Sequence, residues 1–242
     1  MPPEPDVFVL TYDHPHRKTQ DLLFRLKLGG FAVGVLALEW RERRNHQFLF
    51  DLCLPRPLDY GPQQICKNMG FDYRWVGVID EHLNWTTDKP VLIGGAPILH
   101  PNFVLNNRVF NIHPGWLPLV RGLDSLKWAI YYGFPIGVTV HQIDEHVDLG
   151  KLVVREEVTF CPTDCLHSIA CRQYEQGLDM LVGALQNGAL NKTGDYMEPA
   201  GTPTRRMKHA DELIMLERLK HRLIDLQTSS NCSYADCPSF VL

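Results

Sequence analysis

Short apolar runs alternate with amphipathic segments along this chain, and that alternation constrains its fold more than any other feature. Residues 7–11 form an apolar run, residues 19–28 place apolar side chains at helical spacing, and residues 32–38 are apolar again. A strand, a helix and a second strand in this order form a βαβ unit. Because the alternation continues, the sequence predicts an α/β fold with a Rossmann-like, mainly parallel sheet flanked by helices.

The remaining elements follow from the same two periodicities. The predicted strands lie at residues 74–78, 91–94, 109–113, 136–144 and 152–160. The predicted helices lie at residues 63–68, 101–105, 124–132 and 211–227, with a long helix that Thr163 caps and Asn187 closes. We therefore expect a main domain over residues 1–200, followed by a helix and a loosely ordered tail over residues 201–242.

Composition excludes several functional classes. The 242 residues are 45% apolar and 21% charged, as in a globular protein with one large core. The formal net charge is -4 and the chain has no basic stripe, which argues against a nucleic-acid partner. No apolar stretch reaches the roughly 18 residues of a membrane helix, and residues 1–5 lack the regions of a signal peptide. We therefore expect a cytoplasmic protein with no membrane partner.

The cysteines suggest neither disulfides nor a metal. There are seven, an odd number, which suits reduced thiols in a reducing compartment. Cys161, Cys165 and Cys171 match no zinc spacing, so we interpret them as packing residues and expect no metal site.

Three polar side chains stand out among the apolar runs. Asn111 and His113 are two residues apart on a predicted strand, so both point to the same face. The strand at 136–144 leads into a loop that ends at Asp148, whose carboxylate is expected to approach the imidazole. Acyl transfer to an amine requires a base, an oxyanion donor and an anion that orients the imidazolium. Taken singly, each of the three is more often a turn former or a satisfied polar group.

These residues belong to a longer, ordered string of motifs. The string comprises Asn111-Ile112-His113-Pro114, Leu117-Pro118, Arg121-Gly122, Gly137-Val138-Thr139-Val140-His141 and Asp144-Glu145-His146-Val147-Asp148-Leu149-Gly150. It resembles the folate-dependent formyltransferase family, most clearly over residues 91–158 and no longer past residue 198. The resemblance implies the formyltransferase fold and a catalytic trio of Asn111, His113 and Asp148.

The same resemblance implies the formyl donor, N10-formyltetrahydrofolate. Its pterin is expected to lie between two loops at the strand ends of the sheet, where such folds bind ligands. The expected donor-binding residues are Pro97, Ile98, Leu99, Ile143, Asp144, Glu145, His146 and Val147. Where the family often has glycine, this chain has His146, which is expected to reshape the pterin pocket. Gly94 and Gly95 allow either close backbone approach or a plain tight turn.

Two features that the sequence lacks narrow the choice among possible formyl acceptors. Family members that formylate initiator tRNA append a β-barrel domain, and residues 228–242 are too few to form one. Ribotide formyltransferases bind phosphate with a glycine-rich turn after the first strand, and residues 12–19 contain no glycine. The string Leu126-Lys127-Trp128 resembles the sugar-nucleotide branch of the family.

We therefore expect a nucleotide-linked amino sugar as acceptor, with a preference for a dTDP-linked 3- or 4-amino dideoxyhexose used in surface polysaccharide, such as O-antigen, synthesis. The candidate substrate-binding residues are His14, His16, Arg17, Lys18, Arg121 and Trp128. A polar surface turn explains the first four equally well. Glycinamide ribotide formylation and an inactive binding homologue stay open as alternatives, as does a homodimer.

Overall fold

A computed structural model describes residues 4–42, 47–52, 56–192 and 194–229 of the chain. Its centre is a seven-stranded sheet with the strand order β3-β2-β1-β4-β5-β6-β7. The strands are β1 (Val7–Tyr12), β2 (Val33–Leu38), β3 (Asp72–Gly77), β4 (Val91–Ile93), β5 (Val109–His113), β6 (Gly137–Gln142) and β7 (Lys151–Glu157). Strands β1 to β5 pair in parallel, whereas β6 and β7 are antiparallel to their neighbours. The predicted mainly parallel α/β fold is confirmed.

Helices cover both faces of the sheet. They are α1 (Arg17–Leu28), α2 (Pro62–Met69), α3 (Pro101–Asn106), α4 (Ser125–Tyr132), α5 (Leu166–Gln186) and α6 (His209–Ser229), with a 3-10 helix at Ala189–Asn191. The larger core packs Leu22 of α1 and Ile169 of α5 against Val9 of β1. A smaller core on the opposite face packs Phe103 of α3 against Leu10. The alternating side chains of β1 therefore enter two different cores, which explains its unbroken apolar run.

Two of the predicted local details are wrong. Helix α5 begins at Leu166 with Cys165 as its N-cap, and the cap is closed by Ser168, so Thr163 does not cap it. The strand predicted at 152–160 ends at Glu157, after which the chain turns toward the cap. The tail expected to be loosely ordered lies, over residues 230–242, outside the described residues. Within the part of the chain that the structure describes, no helix is both long and apolar enough to cross a membrane.

The antiparallel pairing of β5 with β6 sets where the next loop begins. Phe110 is paired with Gln142, the last residue of β6, and Asn111 is paired with His141. The loop at 143–150 therefore starts beside Val109, two residues before Asn111 on β5. The backbone N–H of Ile143 donates to the carbonyl of Val109, which fixes that start.

The C-terminal segment packs against α4. Lys127 and Glu212 are both buried, and their Nζ and Oε1 atoms lie 2.5 Å apart. The other oxygen of Glu212 accepts from the backbone N–H of Leu49 at 2.9 Å. A buried ion pair of this kind holds α6 in one position on α4, since displacement would leave two charges unpaired.

Candidate active site

A cavity of about 370 Å³ opens where β1, β4 and β5 end. It is lined by Tyr12, His16, Lys18, Ile93, Gly94, Gly95, Ala96, Pro97, Ile98, Leu99, Val104, Asn111, Ile143, Asp144, Glu145, His146, Val147 and Asp148. All eight residues expected in the two donor loops thus line one cavity, together with two of the proposed catalytic trio. His16 and Lys18, from the segment after β1, form the opposite wall.

His113 and Asp148 form a buried ion pair beside this cavity. The His113 Nδ1 atom lies 3.3 Å from Asp148 Oδ1, and His113 is only 3% exposed. The second oxygen, Oδ2, accepts from the backbone N–H of Gly122 at 2.8 Å. Burial raises the pKa of Asp148, but the hydrogen bond and charge of His113, together with the Gly122 N–H, outweigh it and leave that pKa lowered. Asp148 is therefore a stable carboxylate facing the imidazole.

The other edge of the His113 ring also faces acceptors. Nε2 lies 2.8 Å from the carbonyl oxygen of Val120, which can only accept, so Nε2 carries a hydrogen. The Ser125 hydroxyl lies 3.1 Å from Nε2, and because it donates to the Gly122 carbonyl it accepts from the imidazole. Nδ1, on the opposite edge, faces the Asp148 carboxylate, which likewise only accepts.

A second histidine lies against the first. The ring of His141 is 6.5 Å from that of His113, edge to face, and its Nδ1 lies 2.7 Å from the carbonyl of Leu149. Burial, reinforced by the charge of His113, lowers the pKa of His141 to about 4. His141 is therefore neutral at physiological pH and adds no positive charge that would compete for Asp148.

Asn111 presents one end of its amide to Lys18. The Lys18 Nζ atom donates to Asn111 Oδ1 at 3.4 Å, from a residue 93 positions away. Nδ2 of Asn111 has no hydrogen-bond partner in the ranges 4–42, 47–52, 56–192 and 194–229, and the residue lines the cavity. An amide N–H donor is thus available at the cavity wall.

The loops that hold this site adopt backbone conformations that most residues avoid. Asp148 has φ 50° and Gly122 has φ 90°. A Cβ on Gly122 would lie 2.4 Å from the carbonyl oxygen of Thr204. Thr204 in turn donates from its backbone N–H to the carbonyl of Arg121 at 2.7 Å. Glycine is therefore required at 122 both by its φ and by the C-terminal segment that packs on it.

Two glycines near the cavity serve the protein's own packing. A Cβ on Gly94 would lie 2.8 Å from the Thr19 hydroxyl, and one on Gly95 would lie 2.9 Å from the His16 ring. The close approach expected at these positions is thus to the start of α1, which they allow to sit against the end of β4.

Four of the candidate substrate-binding residues lie outside the cavity lining. The His14 ring stacks on Trp40 at 4.7 Å, and Arg17 pairs with Asp21 at 2.6 Å. Trp128 donates from its indole nitrogen to the carbonyl of Arg205. Arg121 is 7% exposed, and its Nε atom is buried without a partner among the described residues.

Sequence reasoning missed several parts of the site. Val120, a loop residue, and Ser125, the first residue of α4, contact Nε2 of His113, and neither stands out in the sequence. Thr204 contacts Arg121 from more than 80 positions away, and no local pattern signals such a contact. Lys18 was singled out, but its contact with Asn111 has no sequence signature. Among the residues that the structure describes, no group of His, Cys, Asp or Glu could hold a metal ion.

The comparisons with known proteins agree with this geometry. Residues 78–185 match the model of the formyl transferase family. Phosphoribosylglycinamide formyltransferase of Haemophilus influenzae is 33% identical over 114 residues, which cover 46% of this chain and 54% of that protein. GDP-perosamine N-formyltransferase of Brucella melitensis is 33% identical over 69 residues, or 28% of this chain and 27% of that one. The chain therefore spans about half or less of the length of these two relatives.

The fold is also shared with solved structures. An N-formyltransferase from Helicobacter canadensis, solved with folinic acid and dTDP-3-aminofucose, superimposes with a TM-score of 0.62 at 15% identity. The superposition covers 90% of this chain and 81% of that one. A likeness at this identity establishes the common fold.

Proposed function

We propose that the protein is an N-formyltransferase that moves a formyl group from N10-formyltetrahydrofolate to the amine of a nucleotide-linked amino sugar. The observation that carries this proposal is a single cavity lined by Asn111, Asp148 and both predicted donor loops, with the His113 ring 3.3 Å from Asp148. A base, an oxyanion donor and an orienting carboxylate at one cavity are what formyl transfer to an amine requires.

In the proposed mechanism, the neutral amine adds to the formyl carbon and forms a tetrahedral intermediate. The Nδ2 hydrogens of Asn111 donate to the oxyanion, and His113 takes the proton that the amine loses. Asp148 stabilises the resulting imidazolium. When the intermediate collapses, the bond from the formyl carbon to N10 breaks and N10 receives the proton from His113. The products are the formamide and tetrahydrofolate.

The donor site is proposed from the two loops that line the cavity. Residues 97–99 and 143–147 line it together with the apolar residues Ile93 and Val104. An aromatic bicycle with polar edges suits an apolar lining with a few polar groups. His146, which is exposed and whose Nδ1 lies 3.6 Å from Asp144 Oδ1, is part of the same lining.

The choice of an amino sugar rests on the acceptor side of the cavity. Its wall is formed by Tyr12, His16 and Lys18, from a segment without the glycines that let a turn close on a ribotide phosphate. The Helicobacter canadensis enzyme, which superimposes over most of this chain, was solved with a dTDP-linked amino sugar. Lys127 and Trp128 support this choice less directly, since they hold the C-terminal segment rather than the cavity.

A panel of acceptors tests the proposal. The purified protein is incubated with N10-formyltetrahydrofolate and, separately, dTDP-, UDP- and GDP-linked 3- and 4-amino sugars, glycinamide ribotide and methionyl initiator tRNA. We expect a mass gain of one formyl group on at least one amino sugar, with the highest specificity constant in the panel. His113→Ala should lower turnover by about 10²–10⁴-fold, while the exposed-surface control His82→Ala should not change it.

Glycinamide ribotide is the second candidate acceptor. The specific observation in its favour is that the Haemophilus influenzae relative, a ribotide formyltransferase, matches over a longer stretch than the perosamine enzyme does. Formylation of the ribotide with no activity on any amino sugar would assign the protein to that reaction. If no acceptor in the panel were formylated, the chain would instead be an inactive homologue that binds folate or nucleotide sugar.

A further inference from the structure

We propose that Lys18 is a positioning residue that sets which end of the Asn111 carboxamide faces the reaction centre. This inference rests on the proposed function, because it assigns Lys18 a role in the same formyl transfer. It differs from a substrate-binding role for Lys18, since the contact is with the protein's own oxyanion donor rather than with the acceptor.

An asparagine side chain needs such an external determinant. Its carbonyl oxygen and amide nitrogen have nearly the same size and shape, so packing alone discriminates poorly between the two orientations. With Nδ2 toward the cavity, Asn111 donates to the oxyanion. With Oδ1 toward the cavity, it places a partial negative charge against the oxyanion and opposes the reaction.

Lys18 removes this ambiguity. An ammonium group has three donors and no acceptor, so only the carbonyl end of the amide can face it. Nζ lies 3.4 Å from Asn111 Oδ1, and this is the hydrogen bond that the structure shows for Lys18. Because Oδ1 is held on the Lys18 side, Nδ2 is directed into the cavity that both residues line.

The surroundings of Lys18 strengthen this contact. The side chain is half-buried between the cavity and a second pocket of about 180 Å³, whose walls include Ile112, Pro114 and Leu178. The polar side chains of that pocket are already paired, since Gln173 donates to the carbonyl of Gly137 and Tyr174 to the carboxylate of Asp21. Apolar walls weaken solvent screening, so the ammonium acts more strongly on the one carbonyl beside it.

Burial also lowers the pKa of Lys18 to about 8. The group is therefore still mainly an ammonium at pH 7, and its charge is retained although its position disfavours it. An energetically costly charge at a cavity wall is a feature of functional sites.

A double-mutant cycle separates positioning from binding or packing. The acceptor is the amino sugar with the highest specificity constant in the panel, and the variants are Lys18→Met, Asn111→Ala and the two combined. We expect Lys18→Met to lower kcat about tenfold, the factor that corresponds to losing one hydrogen bond to a charged group. The acceptor KM should change less than about threefold, because uniform binding is not lost.

The combined variant gives the decisive comparison. In the Asn111→Ala background, Lys18→Met should cost less than about twofold in kcat, because there is no amide left to orient. An undiminished tenfold loss in that background, or a loss confined to the acceptor KM, would overturn the inference while leaving the formyl transfer itself established. Lys27→Met, on the same helix with its ammonium on the carbonyl of Met69, is the matched control. If Lys18→Met fails to fold, Lys18→Gln replaces it in the same cycle.

A readout without any acceptor distinguishes failure of this inference from failure of the proposed function. The side-chain amide of Asn111 gives a ¹H–¹⁵N signal that is identified by its absence in Asn111→Ala. Lys18→Met should shift this signal, and Lys27→Met should leave it in place. An unshifted signal in Lys18→Met would show that the ammonium does not act on the amide, whatever the protein catalyses.

Discussion

Replacing Asp148 with asparagine should disable the base while preserving the shape of the site. Asparagine tolerates the left-handed backbone at this position, where φ is 50°. The Gly122 N–H, 2.8 Å from Oδ2, requires an oxygen opposite it, so the new amide must place its oxygen there. Its nitrogen then faces His113 Nδ1, which the carboxylate oxygen approached to 3.3 Å.

The size of the effect follows from the hydrogen bonds of His113. Nε2 donates to the carbonyl of Val120, and Nδ1 faces the carboxylate of Asp148. In Asp148→Asn the amide nitrogen, which is a donor, faces Nδ1 instead, so a protonated Nδ1 loses its acceptor and the negative charge that stabilised the imidazolium is gone. Both losses act on the proton transfer, which contributes about 10²–10⁴-fold to the rate. We expect kcat to fall by about 10³-fold, while the acceptor KM changes less than about threefold.

The assay is formyl transfer to the amino sugar at saturating donor, measured as product formed per active site. The control is Asp179→Asn, which removes an exposed carboxylate paired with Arg25 and should retain full turnover. The far-ultraviolet circular dichroism of Asp148→Asn should match that of the unaltered protein. A turnover within fivefold of the unaltered protein would refute the assignment of the His113–Asp148 pair as the base.

Three further outcomes are expected. Lys127→Met should lower the free energy of unfolding by about 3–5 kcal/mol in urea, because Glu212 is left charged and buried; a loss below about 1 kcal/mol would contradict this. Gly122→Ala should reduce kcat at least about tenfold, since its Cβ would displace Thr204 and with it the N–H that holds the catalytic carboxylate; unchanged turnover would disprove it. Lys18→Met should raise the free energy of unfolding at pH 7 by about 1–3 kcal/mol, since burial disfavours the ammonium. The pKa of Lys18 is lowered from 10.5 to about 8 in the folded protein, so the unfolded chain binds more protons than the folded chain between pH 8 and pH 10.5. The gain in the free energy of unfolding should therefore vanish above about pH 10.5, where Lys18 is neutral in both states. A gain that persists above this pH would have another cause.

Much of the fold could be predicted because its signals are local. The βαβ alternation and the strand at 109–113 depend on the period of apolar residues over a few turns, and β5 was predicted to the residue. The start of α5 was misplaced because a cysteine rarely caps a helix, whereas Thr163 is a common cap type. The backbone there is set by the pairing of Ser168 with the residues before the helix, which propensity does not reveal.

The site, too, could be predicted where its signals are local and could not where they depend on distant contacts. Asn111 and His113 could be placed on one face because a strand has a period of two, and Asp148 could be placed near them because its loop follows the next strand. The partner of His113 Nε2 could not be predicted, since it depends on where the Val120 carbonyl points. The contact between Lys18 and Asn111 joins the first turn of α1 to β5, and only the fold of the sheet brings these two elements together.

The bridge between Gly122 and Thr204 has a consequence for how this protein can vary over evolution. The segment that matches the formyl transferase family ends at residue 185, yet Thr204 contacts the loop whose Gly122 N–H holds the Asp148 carboxylate. We therefore expect the two segments to be inherited as a pair. A recombination event that exchanged the C-terminal segment for that of a relative would keep the proposed catalytic side chains, and we expect it to misalign them. Viable hybrids should be those whose crossover lies upstream of residue 120, so that Gly122 and Thr204 come from the same parent.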